Sequence, residues 1–173
     1  MSTSTINSRN AAVALSDFTS PALIAPHLQA QEMPAAIREL SQTMQQDRGM
    51  PDLAPFYQTA LERELLASTE LEAGVAFPHA RLPGLNELFF AMGRCDQPLR
   101  WGAKAVPRVR LIFLIAVPES DSGAYLRLVS GFARLTKDRK LMQKLQAAEE
   151  VPQILEALQE IKLGRRSDDR IAY

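Results

Sequence analysis

The sequence predicts an α/β fold: a mixed sheet, with parallel and antiparallel neighbours, flanked by helices on both faces. Three observations point there. Helical patterns come first, strand patterns follow, and helical patterns return. The run from Val109 to Val117 is nearly all apolar, as expected for a central strand covered on both sides. The segments around it carry apolar residues at helical period. The 173 residues suffice for one domain with a proper core and are too few for two large ones.

Residues 1–16 are polar and aperiodic and are expected to form a disordered extension. A single domain is expected over 17–162, and a charged tail, containing Arg165, Arg166, Asp168 and Asp169, over 163–173. Within the domain, Pro34 suits a first helical turn, and Ile37, Leu40 and Met44 follow at helical spacing. Gly49 is placed at the end of that helix. After Pro51 and Asp52, the residues Leu53, Phe56, Tyr57, Ala60, Leu61 and Leu65 form a second amphipathic stripe. Val75-Ala76-Phe77 reads as a short strand, kept extended by the proline after it. Leu88 to Met92 and Val109 to Val117 are the stronger strand candidates, and Pro118 stops the second. Ser120-Asp121-Ser122 offers N-cap oxygens for a helix carrying Tyr125, Leu128, Val129, Phe132 and Leu135 on one face. Leu141 and Leu145 suggest a short helix, and Ile154, Leu155, Leu158 and Ile161 a last one.

Composition narrows the function classes. An apolar share of 46% beside a charged share of 23% is that of a soluble globular protein. Zero formal net charge gives no electrostatic reason to seek nucleic acid or an anionic membrane. No apolar run is long enough for a transmembrane helix, and the polar start lacks a signal-peptide core, so a cytoplasmic location is expected. Cys95 is the single cysteine and has no partner for an internal disulfide. Two histidines and one cysteine without ligand spacing argue against a metal site. No glycine-rich phosphate or dinucleotide loop occurs.

The candidate chemistry sits in Gly74-Val75-Ala76-Phe77-Pro78-His79-Ala80-Arg81. A loop following the strand and the proline is expected to display His79 at the sheet edge. With an ordinary pKa of about 6.5, roughly three quarters of an imidazole is neutral at pH 7. The neutral ring has a free lone pair and acts as a nucleophile without a separate base. A phosphoryl group accepted there would carry close to two negative charges and would want cationic donors. Arg81 is near in sequence, and Arg63 lies further back in a helix-like segment. A charge-assisted hydrogen bond from such an arginine contributes about 1.5–3 kcal/mol. On residues alone two readings stay open: a phosphoryl acceptor, or a surface histidine without a role.

Landmarks in order along Asp17 to Ile161 resemble the enzyme IIA domain of the fructose/mannitol class, including its nitrogen-related branch, of the bacterial phosphoenolpyruvate-dependent phosphotransferase system. Leu61-Glu62-Arg63-Glu64 is similar to the family's E-R-E helix end. Ser68-Thr69 followed by Gly74 to His79 resembles the S-T-G-I-G-N-G-I-A-I-P-H signature. Leu111 to Pro118 resembles its apolar strand, and Tyr125 to Ala133 the helix after it. The resemblance implies an α/β phosphocarrier. The signature histidine falls on His79 and the phosphate-binding arginine on Arg63, sixteen residues earlier. Ser68, Thr69, Tyr125 and Arg81 are the further phosphate-stabilising candidates. The donor would be the phosphocarrier HPr or a relative. The acceptor would be an enzyme IIB domain, or a regulatory partner would sense the phosphorylation state. Contact with a membrane would come only through a transporter partner, and no organic cofactor or metal is implied.

The sequence departs from the family pattern in three places. Tyr125 stands where members often carry a second histidine, and a tyrosine hydroxyl is not a cation. Glu70 and Glu72 replace signature glycines, and Ala73 the asparagine; only Gly74 remains. Carboxylates pointing inward would oppose a phosphohistidine. A rival reading follows: a degenerate domain of the same fold that binds partners without being phosphorylated. Elsewhere, His27 is read as an incidental or capping residue, Cys95 as a buried structural thiol following a strand, Trp101 as a packing residue in a loop and Asp121 as an N-cap.

Overall fold

A computed structural model describes residues 12–48, 53–103, 106–120 and 122–164. Two 3-10 turns, Leu15–Phe18 and Pro21–Leu23, lead into strand β1, Ile24–Ala25. Helices α1, Met33–Arg48, and α2, Leu53–Leu66, follow. Then come β2, Val75–Ala76; β3, His79–Leu82; β4, Phe89–Leu99; and β5, Val109–Pro118. Helices α3, Ser122–Lys137; α4, Arg139–Ala147; and α5, Val151–Gln159, complete the described chain.

The sheet order is β1-β4-β5-β2, with β3 also on β5, beyond β2 along the same edge. β4 and β5 run antiparallel, while β1 pairs with β4, and β2 and β3 with β5, in parallel. The mixed sheet read from the sequence is the observed one. Period-two alternation divides β5 between two cores. Leu111, Phe113, Ile115 and Val117 face the layer made by α3, α4 and α5. Ile112, Leu114 and Ala116 face the side of α1 and α2, joined by Val109 at the strand's start, where the β4 register shifts and the alternation does not yet hold. Both faces are covered, which is why this strand is apolar almost throughout. Phe77, Phe90, Phe113 and Phe132 meet under α3 with ring centroids 4.7 to 5.6 Å apart.

Helix starts follow the local chemistry. Pro34 lies in the first turn of α1. The Asp138 carboxylate caps α4 by accepting the Leu141 N–H at 3.0 Å. Gly74, at φ +82°, makes the turn into β2, and a Cβ there would come within 2.8 Å of the Arg108 carbonyl oxygen.

The structure corrects several expectations. The packed domain begins before Asp17: Leu15 is fully buried, and its N–H donates to the Ile161 carbonyl. Its apolar side chain sits among α3 and α5 residues and outweighs the polar composition around it. At the other end Leu163 is also buried. Residues 1–11, Gly49, Asp121 and the tail from Arg165 lie outside the described residues. Leu65 leaves the apolar stripe of α2 and is 66% exposed. Cys95 lies within β4 rather than after it. His79 begins β3, paired with Ile115, instead of standing on a loop; Phe77-Pro78 interrupts the edge without ending it. Among the described residues no helix is long and apolar enough to cross a membrane.

Candidate active site

The edge of β5 is covered in two pieces because Pro78 has no N–H to give the ladder. β2 pairs with Leu111 and Ile112, and β3 resumes opposite Ile115. In the gap, the Pro78 carbonyl accepts the Ile115 N–H at 2.9 Å. The Phe77 carbonyl turns to His79 and accepts from Nδ1 at 3.0 Å. A carbonyl only accepts, so Nδ1 carries the proton and the lone pair is on Nε2.

Arg63, in the last turn of α2, points its Nε–H at that lone pair across 2.7 Å. Its other guanidinium hydrogens have no protein partner among the described residues, so the fork is available to an anion. Burial holds His79 below the usual histidine pKa. The bond to Phe77 works the other way, Arg63 and Arg81 lower it further, and the Glu64 carboxylate raises it. The net shift keeps the ring predominantly neutral at pH 7.

Tyr125, in the first half of α3, sets its ring 5.8 Å from the imidazole, tilted by 42°. Arg81 follows His79 by two residues along β3 and therefore leans to the same face. Its guanidinium carbon lies 5.5 Å over the Tyr125 ring, within cation–π range. The sequence candidates thus divide. Arg63 and Tyr125 reach His79 itself, and Arg81 approaches through Tyr125. Thr69 stands behind the site: its hydroxyl accepts the Phe77 N–H at 2.9 Å. Ser68 is exposed and accepts the Glu70 N–H at 3.3 Å. Glu72 is exposed and Glu70 buried; the carboxylate that acts on His79 is Glu64.

Sequence reasoning passes over Glu64 and its bond to Trp101. Glu64 is 3% exposed and accepts the indole N–H of Trp101 at 2.6 Å. It also accepts the Thr69 backbone N–H at 2.7 Å and the Thr69 hydroxyl at 2.9 Å. A signal exists: Phe56, Ala60 and Glu64 follow one another at four-residue spacing, which puts a carboxylate on the buried stripe of a helix. Trp101 packs as expected, fully buried, and donates this hydrogen bond in addition. His27 is a clasp rather than a cap. Its Nδ1 lies 3.0 Å from the Asp96 carboxylate and its Nε2 3.1 Å from the Glu149 carbonyl. Cys95 is buried, and burial pushes its pKa up to about 12, which leaves it without thiolate character.

Around His79 the surface is apolar. A cavity of about 240 Å³ beside the imidazole is lined by Leu71, Phe77, Tyr125, Val129 and Phe132 among others. Leu65, Leu66 and Leu126 are 66%, 87% and 65% exposed. They lie on α2 and α3 outside this cavity, whereas Leu71 and Val129, 43% and 40% exposed, line it. A partly exposed histidine thus has a cation on its Nε2 and an apolar cavity beside it.

Comparison with known proteins gives this arrangement a setting. The chain is 31% identical over 144 residues to a nitrogen regulatory protein of Bradyrhizobium diazoefficiens, covering 83% of this chain and 94% of that one. Its fold matches the crystal structure of the nitrogen regulatory protein IIA-Ntr from Neisseria meningitidis with a TM-score of 0.75 and 23% identity, over 83% of this chain and 98% of that one. It also matches the Escherichia coli mannitol enzyme IIA, solved in complex with phosphorylated mannitol enzyme IIB, with a TM-score of 0.66 and 19% identity, over 80% and 95% of the two chains. Residues 17–161 match the family described as phosphoenolpyruvate-dependent sugar phosphotransferase system, EIIA 2. The chain belongs to that family.

Proposed function

We propose that this chain is a phosphoryl carrier that accepts a phosphoryl group on Nε2 of His79 from an HPr-like phosphocarrier protein. It then passes the group to an enzyme IIB domain or uses it as a regulatory signal. The observation that carries the reading is the divided imidazole: Nδ1 donates to the Phe77 carbonyl, and Nε2 faces the Arg63 guanidinium. In the transfer, the Nε2 lone pair forms the new N–P bond. The N–P bond to the donor's histidine breaks, and its electron pair stays on the donor ring. The Nδ1 proton does not leave. Arg63 exchanges its bond to Nε2 for one to a phosphoryl oxygen, where negative charge makes the bond stronger. Arg81, held over Tyr125, is the second cation near the product. The exposed apolar residues Leu71 and Val129 beside His79 suit a protein partner, because interface cores favour desolvated apolar contact around a polar centre. The mannitol complex supports an enzyme IIB partner, and the nitrogen regulatory relative supports a regulatory one.

The rival is a domain that binds partners without being phosphorylated. Tyr125 in place of a second histidine favours it, as does the Arg63 N–H already seated on the lone pair. Incubation with phosphoenolpyruvate, enzyme I and HPr decides between them. The expected result is an acid-labile phosphate on the wild type and none on His79→Ala. An unlabelled wild type at long times, with cognate partners, favours the rival.

A further inference from the structure

We propose that Glu64 is a positioning residue for this transfer, acting on His79 through Thr69 and the Phe77 backbone. The proposal rests on the reading of His79 as phosphoryl acceptor. A carboxylate at 3% exposure is uncommon unless donors surround it. Glu64 has three close ones: the Trp101 indole N–H and the backbone N–H and hydroxyl of Thr69. They pin it between α2 and the segment that leads to β2.

The pinning has a direction. Thr69 owns a single hydroxyl proton, and Glu64 takes it. The hydroxyl oxygen is then an acceptor, and it receives the Phe77 N–H at 2.9 Å. The Phe77 ring is stacked on Phe113 and tilted against Phe132, at 5.4 and 4.8 Å. Ring and N–H together fix where the Phe77 carbonyl points, and that carbonyl takes the Nδ1 proton of His79. The tautomer of a histidine is set by the bond its other nitrogen makes. Glu64 therefore sits at the far end of a chain whose near end decides that Nε2, rather than Nδ1, is the nucleophile. The same buried negative charge lies near a ring that turns positive as the N–P bond forms with the Nδ1 proton retained.

Thr69→Val removes the hydroxyl at nearly constant shape, and Thr69→Ser keeps it. Two quantities are read: the ring-nitrogen chemical shifts of His79, which report the tautomer, and the rate of phosphohistidine formation from phosphorylated HPr. Trp101, the one tryptophan of the chain, reports retention of the fold by near-UV circular dichroism. Thr69→Val is expected to mix the tautomers and slow transfer about 10-fold, as misplaced reacting groups do, and Thr69→Ser to restore both. Where Thr69→Val does not fold, Glu64→Gln decides from the other end, since its amide offers hydrogens to groups that are themselves donors. Wild-type tautomer and rate in these variants overturn the proposal. Slower transfer with an unchanged tautomer marks a merely structural loss and overturns it too. A labelled wild type with indifferent variants removes the Glu64 proposal alone; an unlabelled wild type removes the acceptor reading and this proposal together.

Discussion

Replacing Arg63 by alanine separates two effects of one guanidinium on His79. In the resting protein the Arg63 N–H sits 2.7 Å from Nε2, and the cation opposes protonation of the ring. Its loss therefore raises the pKa of His79. In the phosphorylated protein that the proposed function calls for, the same group is released to a phosphoryl oxygen, where a charge-assisted bond contributes about 1.5–3 kcal/mol. At about 1.4 kcal/mol for each factor of ten, Arg63→Ala shifts the phosphorylation equilibrium against phosphorylated HPr by about 10- to 150-fold. Stability acts as an internal control. Arg63 is exposed near a helix end, and alanine is a good helix former, so the urea midpoint stays close to wild type. Arg63→Lys keeps the charge but not the planar fork, and falls between the two. The assay is the fraction of phosphorylated protein at equilibrium with a labelled HPr pool, beside an NMR titration of His79. A fraction within two-fold of wild type, with an unmoved titration, refutes the assignment of Arg63 as the phosphate-binding cation.

His79 is expected to titrate below the ordinary value of about 6.5, because burial disfavours its charged form. The unfolded chain then takes up this proton first, so His79 lowers folding stability as pH falls through about 6.5 and stops doing so below its folded pKa; His79→Asn flattens that part of the pH–stability curve. Gly74→Ala is expected to destabilise by about 2 kcal/mol or more in urea unfolding, since φ is +82° and the new Cβ meets a backbone oxygen at 2.8 Å; a loss below about 0.5 kcal/mol refutes the strain argument. Cys95, buried and with its pKa pushed up to about 12, is expected to resist thiol reagents in the native protein and to react at once in denaturant.

Those parts of the fold that depend on periodicity are legible in the sequence. β5 is legible because burial on both faces leaves an uninterrupted apolar run, and α3 because one stripe of it is buried. β1 is not, since two residues paired to β4 carry no pattern of their own. β3 is hidden for a different reason: its four residues include a histidine and an arginine, with a proline just before, which read as a loop until β5 supplies the ladder. At the site, the contact between Arg63 and His79 is legible through spacing and resemblance. The pairing of Glu64 with Trp101 is not, because 37 residues separate them and only the fold closes that distance. Thr69 is legible in position but not in role. The resemblance puts it on the phosphate, whereas its hydroxyl serves the backbone behind the histidine.

The broken edge at Phe77-Pro78 has a consequence for recognition. One margin of the sheet is the two-residue β1, and the other is β2 and β3, divided by a proline. Neither offers an incoming chain a long row of free amide and carbonyl groups, the template that strand addition requires. On the proposed function, a protein arriving at His79 reads side chains, with Leu71 and Val129 as the apolar contact and Arg63 as the charge beside the histidine. The interruption that turns the Phe77 carbonyl toward the imidazole also shortens the row of amides this margin could offer another sheet, which on the proposed function keeps a transient contact from becoming a permanent junction.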